Sequence, residues 1–389
     1  MAETGSEEEQ DFKLRLAQQA FLIKNKEISG VDREKLKAEI LEVVYGKDLA
    51  PIYEHLCKTL GWGVDAERLA RMQKANEERL RELDEKIKDA EENLTETDVR
   101  DACLAKADYL ASIGDRAGAT EAYKTTEEKT PGVGNKIDMV FSRMRLDMLY
   151  GDWVAVKANL TKVKQLCEEG GDWERKNKVK VYEAVFCMTI RDYKKAADLF
   201  LDATATFATP ELFPFTSCIF YAVVMAMVSL DRVSLKKRVV DAPEILTVIE
   251  DVPDLASFLN SLYRCKYSEF FQALARMADR IQVDMYLYPH FRNYFREVRI
   301  VAYSQFLESY KSVTMKSVAA AFNVGVDFLD RELSDFIVAG RLHAKIDKVA
   351  GVVETNRPDA KNALYQQTIK QGDLLLNRIQ KLSKVIDLE

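Results

Sequence analysis

The sequence predicts a mostly α-helical protein. A helical-repeat, tetratricopeptide-like solenoid is followed by a winged-helix module with a small β-hairpin, and then by a C-terminal helix. Three observations carry this. Gly and Pro are scarce, at 16 and 8 in 389 residues, which favours long helices over turns and strands. A turn ending in Asp recurs at intervals of 37 and 40 residues between Gly114 and Asp192. Residues 311–358 then follow the order helix, turn, helix, hairpin. The expected division is 1–95 for an acidic tail and N-terminal helices, 96–210 for the repeats, 211–358 for helices leading into the winged helix, and 359–389 for the last helix.

Composition bounds the function before any motif does. A hydrophobic fraction of 47% with 31% charge describes a folded chain that can bury a large core. The net charge of −6 gives no global attraction to nucleic acid or anionic membrane. Six Cys are scattered in helical, mostly apolar contexts without a CxxC pair, so reduced buried thiols are expected. The opening GSEEEQDF is acidic, unlike a secretory signal. The most apolar run, Phe213 to Leu230, is interrupted by Pro214, Thr216 and Ser217, and reads as a core helix rather than a membrane span. The expected location is the cytoplasm and nucleus.

Residues 1–11 read as a disordered tail. Helices follow to about Leu60, with Leu14, Ala17 and Phe21 on one stripe and Leu36, Ile40, Val43 and Val44 on another. Leu69 to Leu94 is a long charged helix. Its seam of Leu80, Leu83, Ile87, Ala90 and Leu94 extends back through Asn76 and should pack on the next domain. Gly114-Asp115, Gly151-Asp152 and Arg191-Asp192 then each end one helix and start another. Four residues after each Asp stand Ala119, Val156 and Ala196; eight after stand Tyr123, Leu160 and Phe200. A small residue lets paired helices approach and a large one fills the groove between pairs. Such hairpins stack into a solenoid whose concave face binds other chains. Glu244–Glu250, Ala256–Ser261, Tyr267–Ala278 and Phe291–Tyr310 continue as helices.

In the winged helix, Thr314 caps a short helix carrying Val318, Ala319 and Phe322. Asn323-Val324-Gly325 breaks it, with Gly325 expected to turn the chain. Val326 to Val338 is the second helix, with Phe328, Leu329, Leu333, Phe336 and Ile337 as its buried stripe and Ala339-Gly340 as its end. Arg341–Ile346 and Val352–Thr355 alternate as two strands, and Arg357-Pro358 closes the module. Asp327, Asp330, Glu332 and Asp335 face a single Arg331 on the helix that would enter a major groove, so phosphates would repel it. The wing is therefore read as a protein-docking module. A hairpin edge carries unpaired N–H and C=O groups that invite a partner's strand. This marks Arg341, His343, Lys345, Ile346, Val352 and Val353 as interface candidates. On the final helix, Leu375, Ile379, Leu382 and Ile386 form a seam, with Leu364, Thr368 and Gln371 upstream and Arg378, Lys381, Lys384 and Asp387 facing water.

This order of repeat, winged helix and terminal helix resembles the PCI family, named for proteasome, signalosome and initiation-factor complexes. ANEERLRELDEKIKDAEENL, EEGGDWERKNKVKVYEAVFCMTIRDYKKAADLFLD and GRLHAKIDKVAGVVETNRPDAKN are similar to its proteasome-lid members, as is TIKQGDLLLNRIQKLSKVI. The resemblance runs from about Lys47 onward. It implies a non-catalytic scaffold subunit of the 26S proteasome lid in a hetero-oligomeric complex. Implied partners are other PCI-type lid subunits, the lid deubiquitinating subunit, the ATPase base and the core particle, with terminal helices gathered in a shared bundle. The alternatives are a PCI subunit of the signalosome or of an initiation-factor complex, and a winged-helix nucleic-acid binder.

Catalytic chemistry is not legible. The three His, His55, His290 and His343, form neither HExxH nor an HxH pair with a distant Asp, so no metal is expected. No GxxxxGK[ST] occurs, and Gly170-Gly171 is ringed by carboxylates, which suits a helix turn rather than a phosphate cradle. His343 reads as a packing residue, and Glu7-Glu8-Glu9 and Glu127-Glu128 as solvated faces. No catalytic residue, cofactor site, nucleic-acid site or membrane contact is expected.

Overall fold

The computed structural model describes residues 10–28, 30–93, 95–356 and 360–386, with the side chains of 360–363 and 385–386 outside that description. Glu7-Glu8-Glu9, Leu94, Arg357-Pro358, Asp387 and the Ile386 side chain, all named above, therefore lie outside the described residues. The chain opens with α1 (Phe12–Lys24), α2 (Arg33–Gly46), α3 (Ala50–Leu60) and the long α4 (Ala66–Asn93). Hairpins follow as α5 (Glu96–Ile113) with α6 (Arg116–Glu128), α7 (Val133–Leu149) with α8 (Trp153–Gly170), and α9 (Trp173–Thr189) with α10 (Tyr193–Thr204). Next come α11 (Phe215–Ser229), α12 (Arg232–Leu235) running into a π turn at Lys236–Val240, α13 (Pro243–Leu246), α14 (Leu255–Tyr263), α15 (Tyr267–Val283) and α16 (Phe291–Leu307). The winged helix is β1 (Ser312–Thr314), α17 (Met315–Phe322), α18 (Val326–Val338), β2 (Ala344–Asp347) and β3 (Val352–Thr355), and α19 (Ala360–Ile386) ends the chain. Two units separate. One runs to Arg264 and includes Gln272–Phe295; the other is Cys265–Phe271 and Arg296 onward.

In the first unit the repeat register read from the sequence is present. Gly114, Gly151 and Arg191 each take a left-handed φ, at 87°, 69° and 65°. The next N–H reaches back to the carbonyl five residues earlier, as in Asp115 to Leu110 at 3.0 Å, Asp152 to Asp147 at 3.0 Å and Asp192 to Cys187 at 2.9 Å. Each Asp then caps the following helix, its carboxylate accepting from Gly118, from Val154 and Ala155, and from Lys195. Ala119, Val156, Ala196, Tyr123, Leu160 and Phe200 are all buried. The sequence reading missed two further turns of this kind. Asp48 is left-handed, with Leu49, Tyr53 and Cys57 in the same register, and Asp231 caps α12, with Leu235 and Val239 buried behind it. The core helix expected in the apolar run is α11, buried continuously from Cys218 to Met227. Among the described residues no helix is long and apolar enough to cross a membrane.

The α4 seam packs on α5 as expected. Leu83 and Ala90 are buried, and buried Asn76 accepts from Tyr109 Oη at 2.9 Å. Glu127 is not simply solvated, since Lys162 reaches it from the next hairpin. Cys57, Cys103, Cys167, Cys187 and Cys218 are free and buried, whereas Cys265 is half-buried at φ 58°.

One expectation about the N-terminus is corrected. Residues 10 and 11 are not tail. Gln10 Nε2 donates to Leu212 O at 2.8 Å, Asp11 N donates to Glu211 O at 2.9 Å, and Asp11 caps α1. The first helices of the hairpins also do not present a wholly open face, because α1 lies on them. Lys13, 6% exposed, is paired with Asp11 at 3.5 Å and donates to Ala111 O of α5. Arg145 of α7 donates to Asp11 at 3.0 Å, to Tyr182 Oη of α9 at 3.2 Å and to Ser142 at 3.0 Å. A buried cation needs such partners, since water is no longer there to solvate it.

The second unit packs around Phe322. Its ring meets Tyr267 and Tyr303 at 4.8 Å, Phe271 at 5.1 Å and Phe306 at 5.4 Å between centroids. Thr314 caps α17 as expected, its Oγ1 accepting from Ser317 N at 3.3 Å. The turn to α18 is made by Asn323 at φ 55°, not by Gly325, which has an ordinary φ of −69° and caps α18. Asn tolerates the left-handed region through its short polar side chain. In α18, Leu329, Leu333 and Phe336 are buried, Ile337 is half-buried, and Phe328 is 50% exposed rather than in the stripe.

Candidate protein-docking surfaces

The hairpin supplies two strands of a three-stranded antiparallel sheet of order β1-β3-β2, with β3 in the middle. The sequence reading missed β1, whose three residues run directly into the α17 cap. Val353 pairs with Val313 on one side and Ile346 on the other. The middle strand therefore has no open edge, and Val353 is fully buried while Val352 is half-buried. That corrects the edge argument for these two residues. It leaves β2 and the short β1 as the edges. The β2–β3 turn is closed by Asp347, whose carboxylate accepts from Val349 N at 2.9 Å and Ala350 N at 3.1 Å, with Gly351 left-handed at φ 64°.

The structure places the other wing candidates unequally. Lys345 is exposed on β2 and Ile346 is half-buried. Arg341 and His343 precede the strand rather than forming it, because Arg341 N and Leu342 N bond back to Phe336 O and close the end of α18. Arg341 is also tied to buried Glu297 through its guanidinium. His343 is exposed, not a packing residue, and its carbonyl accepts from Asn356 N at 2.9 Å. Arg341, His343, Ala344 and Asn356 gather around a groove of about 280 Å³ with Leu307 and Glu308.

The charge on α18 is distributed differently from the simple acidic face. Glu332 is buried; Arg299 stands 2.7 Å from its carboxylate and Tyr303 Oη donates to it at 2.6 Å. Asp330 pairs with Lys348 at 3.1 Å. Asp327 and Asp335 remain exposed, which still opposes approach to phosphates.

The last helix carries a long run of exposed apolar side chains. Residues 364–384 are exposed throughout except Gly372. Leu375, Ile379 and Leu382 are 59%, 54% and 61% exposed, as are Leu364, Tyr365, Ile369 and Leu376 to similar extents. At a helical turn of 100° per residue these seven span an arc of about 140°, with Arg378, Lys381 and Lys384 outside it. That is wider than a two-stranded seam and suits burial among several helices.

The chemical inventory is sparse. Among the described residues no group of His, Cys, Asp or Glu is arranged to hold a metal ion. Burial pushes the thiols of Cys57 and Cys167 up, that of Cys187 up to about 11 and that of Cys218 up to about 12, which keeps them protonated at neutral pH. His55 and His290 are held below the usual imidazole range, first by burial and then by Lys58 and Arg191 respectively. Arg191 Nε donates to His290 Nδ1 at 2.9 Å.

Fold and surfaces together define a helical-repeat protein carrying a PCI-type winged-helix docking module. A family model described as 26S proteasome subunit RPN7 matches residues 65–238, and a PCI domain model matches 274–357. A third, for the 26S proteasome regulatory subunit RPN7/PSMD6 C-terminal helix, matches 365–386. The 26S proteasome non-ATPase regulatory subunit 6 homolog of Arabidopsis thaliana is 57% identical over 384 residues, covering 99% of both chains. Subunit 6 of Dictyostelium discoideum is 47% identical over 90% of this chain and 92% of its own. The regulatory subunit RPN7 of Saccharomyces cerevisiae is 35% identical over 96% and 93%. The chain belongs to the 26S proteasome subunit RPN7 family.

Proposed function

We propose that this chain is a non-catalytic scaffold subunit of the lid of the 26S proteasome regulatory particle, supporting ubiquitin-dependent degradation. The observation that carries this reading is the exposed apolar arc on α19, in the segment that matches the family's C-terminal helix. Such an arc is stable in water only when covered, and a bundle of terminal helices from other subunits would cover it. The open edge of β2 gives a second attachment, by strand pairing with a neighbouring PCI subunit's wing. Further partners are the lid deubiquitinating subunit, the ATPase base and the core particle, met in the cytoplasm and nucleus. The signalosome and initiation-factor alternatives are not favoured, since the relatives compared above are proteasome subunits over nearly their whole length. The test is depletion and add-back. Cells depleted of this chain should lose 26S particles and accumulate ubiquitin conjugates, and the full chain should restore both. The purified chain alone should turn over neither ATP nor diubiquitin; turnover of either would overturn the non-catalytic reading.

A further inference from the structure

A helical solenoid has a mechanical weakness. Each hairpin packs on its neighbours alone, so hairpins can open separately and the curve of the stack is soft. The first unit of this chain carries a helix that crosses several hairpins at once. Helix α1 has 13 residues and is about 20 Å long. Its hydrogen-bond partners outside the N-terminal helices lie between 98 and 267 residues away along the chain.

The start of α1 is tied to three hairpins. Gln10 Nε2 donates to Leu212 O at 2.8 Å and Asp11 N to Glu211 O at 2.9 Å, in the segment that follows α10. The Asp11 carboxylate accepts from Arg145 of α7 at 3.0 Å, and the same guanidinium donates to Tyr182 Oη of α9 at 3.2 Å. Lys13 Nζ donates to Ala111 O of α5 at 3.4 Å. The second half of α1 is tied to the segment between α15 and α16. Gln18 Nε2 donates to Val283 O at 2.6 Å, its Oε1 accepts from Met285 N at 3.1 Å, and the Phe21 ring meets Tyr288 edge-on at 5.2 Å. The exit is fastened as well, since the Arg33 guanidinium donates to Asn25 O, Lys26 O and Ile28 O at 3.3, 3.1 and 2.7 Å.

These ties are costly to undo. Leu14 and Leu16 are each 1% exposed. Lifting α1 would take from half-buried Arg145 the one carboxylate that pairs with it among the described residues. We propose that α1 is a strap that locks the curvature of the helical-repeat unit and joins its hairpins into one cooperative element. The face that such solenoids offer to other chains is filled here by the chain's own helix.

The experiment uses the full chain and breaks one end of the strap while reading the other. Asp11→Asn removes the charge that pairs with Arg145, and Asn caps a helix as well as Asp does. Gln18→Met keeps the side-chain length and removes both of its bonds. Both variants should keep wild-type helix content. Amide hydrogen exchange is followed residue by residue. In Asp11→Asn the Met285 amide, which Gln18 shields, should exchange at least about 5-fold faster. In Gln18→Met the amides of Asp11 and of α9 around Tyr182 should do the same. The amides of the β1-β3-β2 sheet, in the second unit, should keep their rates. Small-angle scattering of the double variant should give a larger radius of gyration at unchanged helix content. Faster exchange confined to the residues that each side chain touches would make α1 an ordinary packed helix and overturn the proposal. Equal acceleration in the sheet, which reports general destabilisation, would overturn it too, as would an unchanged radius.

Discussion

The hairpin turns allow one comparison in which two substitutions share their chemistry and differ only in surroundings. Gly114 and Gly151 occupy the same position in successive repeats, at φ 87° and 69°. Replacing either by Ala forces an L residue into the left-handed region, at roughly 1–2 kcal/mol. Around Gly151 an added Cβ meets nothing within 4 Å, so Gly151→Ala should lose about that and no more. At Gly114 the same Cβ would stand 2.3 Å from Ile52 Cγ1 and 3.1 Å from both Ile52 Cδ1 and Tyr150 Oη. Ile52 is 1% exposed and has no space to withdraw into. Tyr150 Oη is held by the Gly114 carbonyl at 2.6 Å. Overpacking of this kind adds roughly 1–3 kcal/mol. Gly114→Ala should therefore lose about 2–5 kcal/mol in all. Urea unfolding of the full chain, followed by circular dichroism at constant slope, reads the difference as a lower midpoint for Gly114→Ala. Equal midpoints for the two variants would mean that α3 does not close on the first repeat turn as described.

Other outcomes follow from the same geometry. Ala119→Trp or Ala196→Trp, each at a fully buried crossing, should lower the melting temperature and abolish assembly together; a wild-type melting temperature in either would refute the repeat register. Ending the chain at Gln371 should lower the circular dichroism of the free subunit only by the helical residues removed, leave its melting unchanged, and block incorporation into the lid; global unfolding of the truncated monomer would make α19 part of the chain's own core. Leu375→Asp with Leu382→Asp should act the same way. Each Leu is about 60% exposed and would contribute roughly 1–2 kcal/mol when covered, so the pair should weaken assembly by at least about 30-fold. His55 and His290 have folded pKa values below that of the unfolded imidazole. The unfolded chain therefore takes up protons first as pH falls. Their contribution is complete above about pH 6.5 and declines below it. His290→Gln should flatten part of that decline in urea midpoints between pH 7.5 and 5.5, and an unchanged slope would count against a neutral His290.

What was legible in the sequence had a local physical cause. The three repeat turns could be read because an Asp cap, a left-handed residue before it, and buried residues at +4 and +8 all lie within ten residues of one another. The fourth, at Asp231, escaped because Leu230 replaces the left-handed residue and a π turn of Lys and Arg follows. Strand β1 escaped because three residues carry too little alternation, and Thr314 ends the strand while capping a helix. The burial of Lys13 and Glu332 and the half-burial of Arg145 could not be read at all. Each is a charged residue whose partner lies far along the chain, and only the fold brings Asp11 to Arg145 or Arg299 to Glu332. Phe328 was misplaced because it lies about 100° round the helix from Leu329, at the margin of the stripe, and stays 50% exposed. On the docking surfaces, the apolar seam of α19 was legible, as was the presence of an edge strand in the hairpin, but not which of the two strands it is. That β3 is covered on both sides was not.

The central claim is that this chain attaches to proteasomal partners chiefly through α19. It is tested most directly by purifying the chain through an N-terminal tag from its own cells and identifying every co-purifying subunit by native mass spectrometry. The full-length chain should carry with it the PCI-type subunits of the proteasome lid and, at low salt, the rest of the regulatory particle. The chain ending at Gln371 should emerge alone, folded. Recovery of the full chain alone or with the subunits of another assembly would contradict the account, as would a truncated chain that keeps its partners.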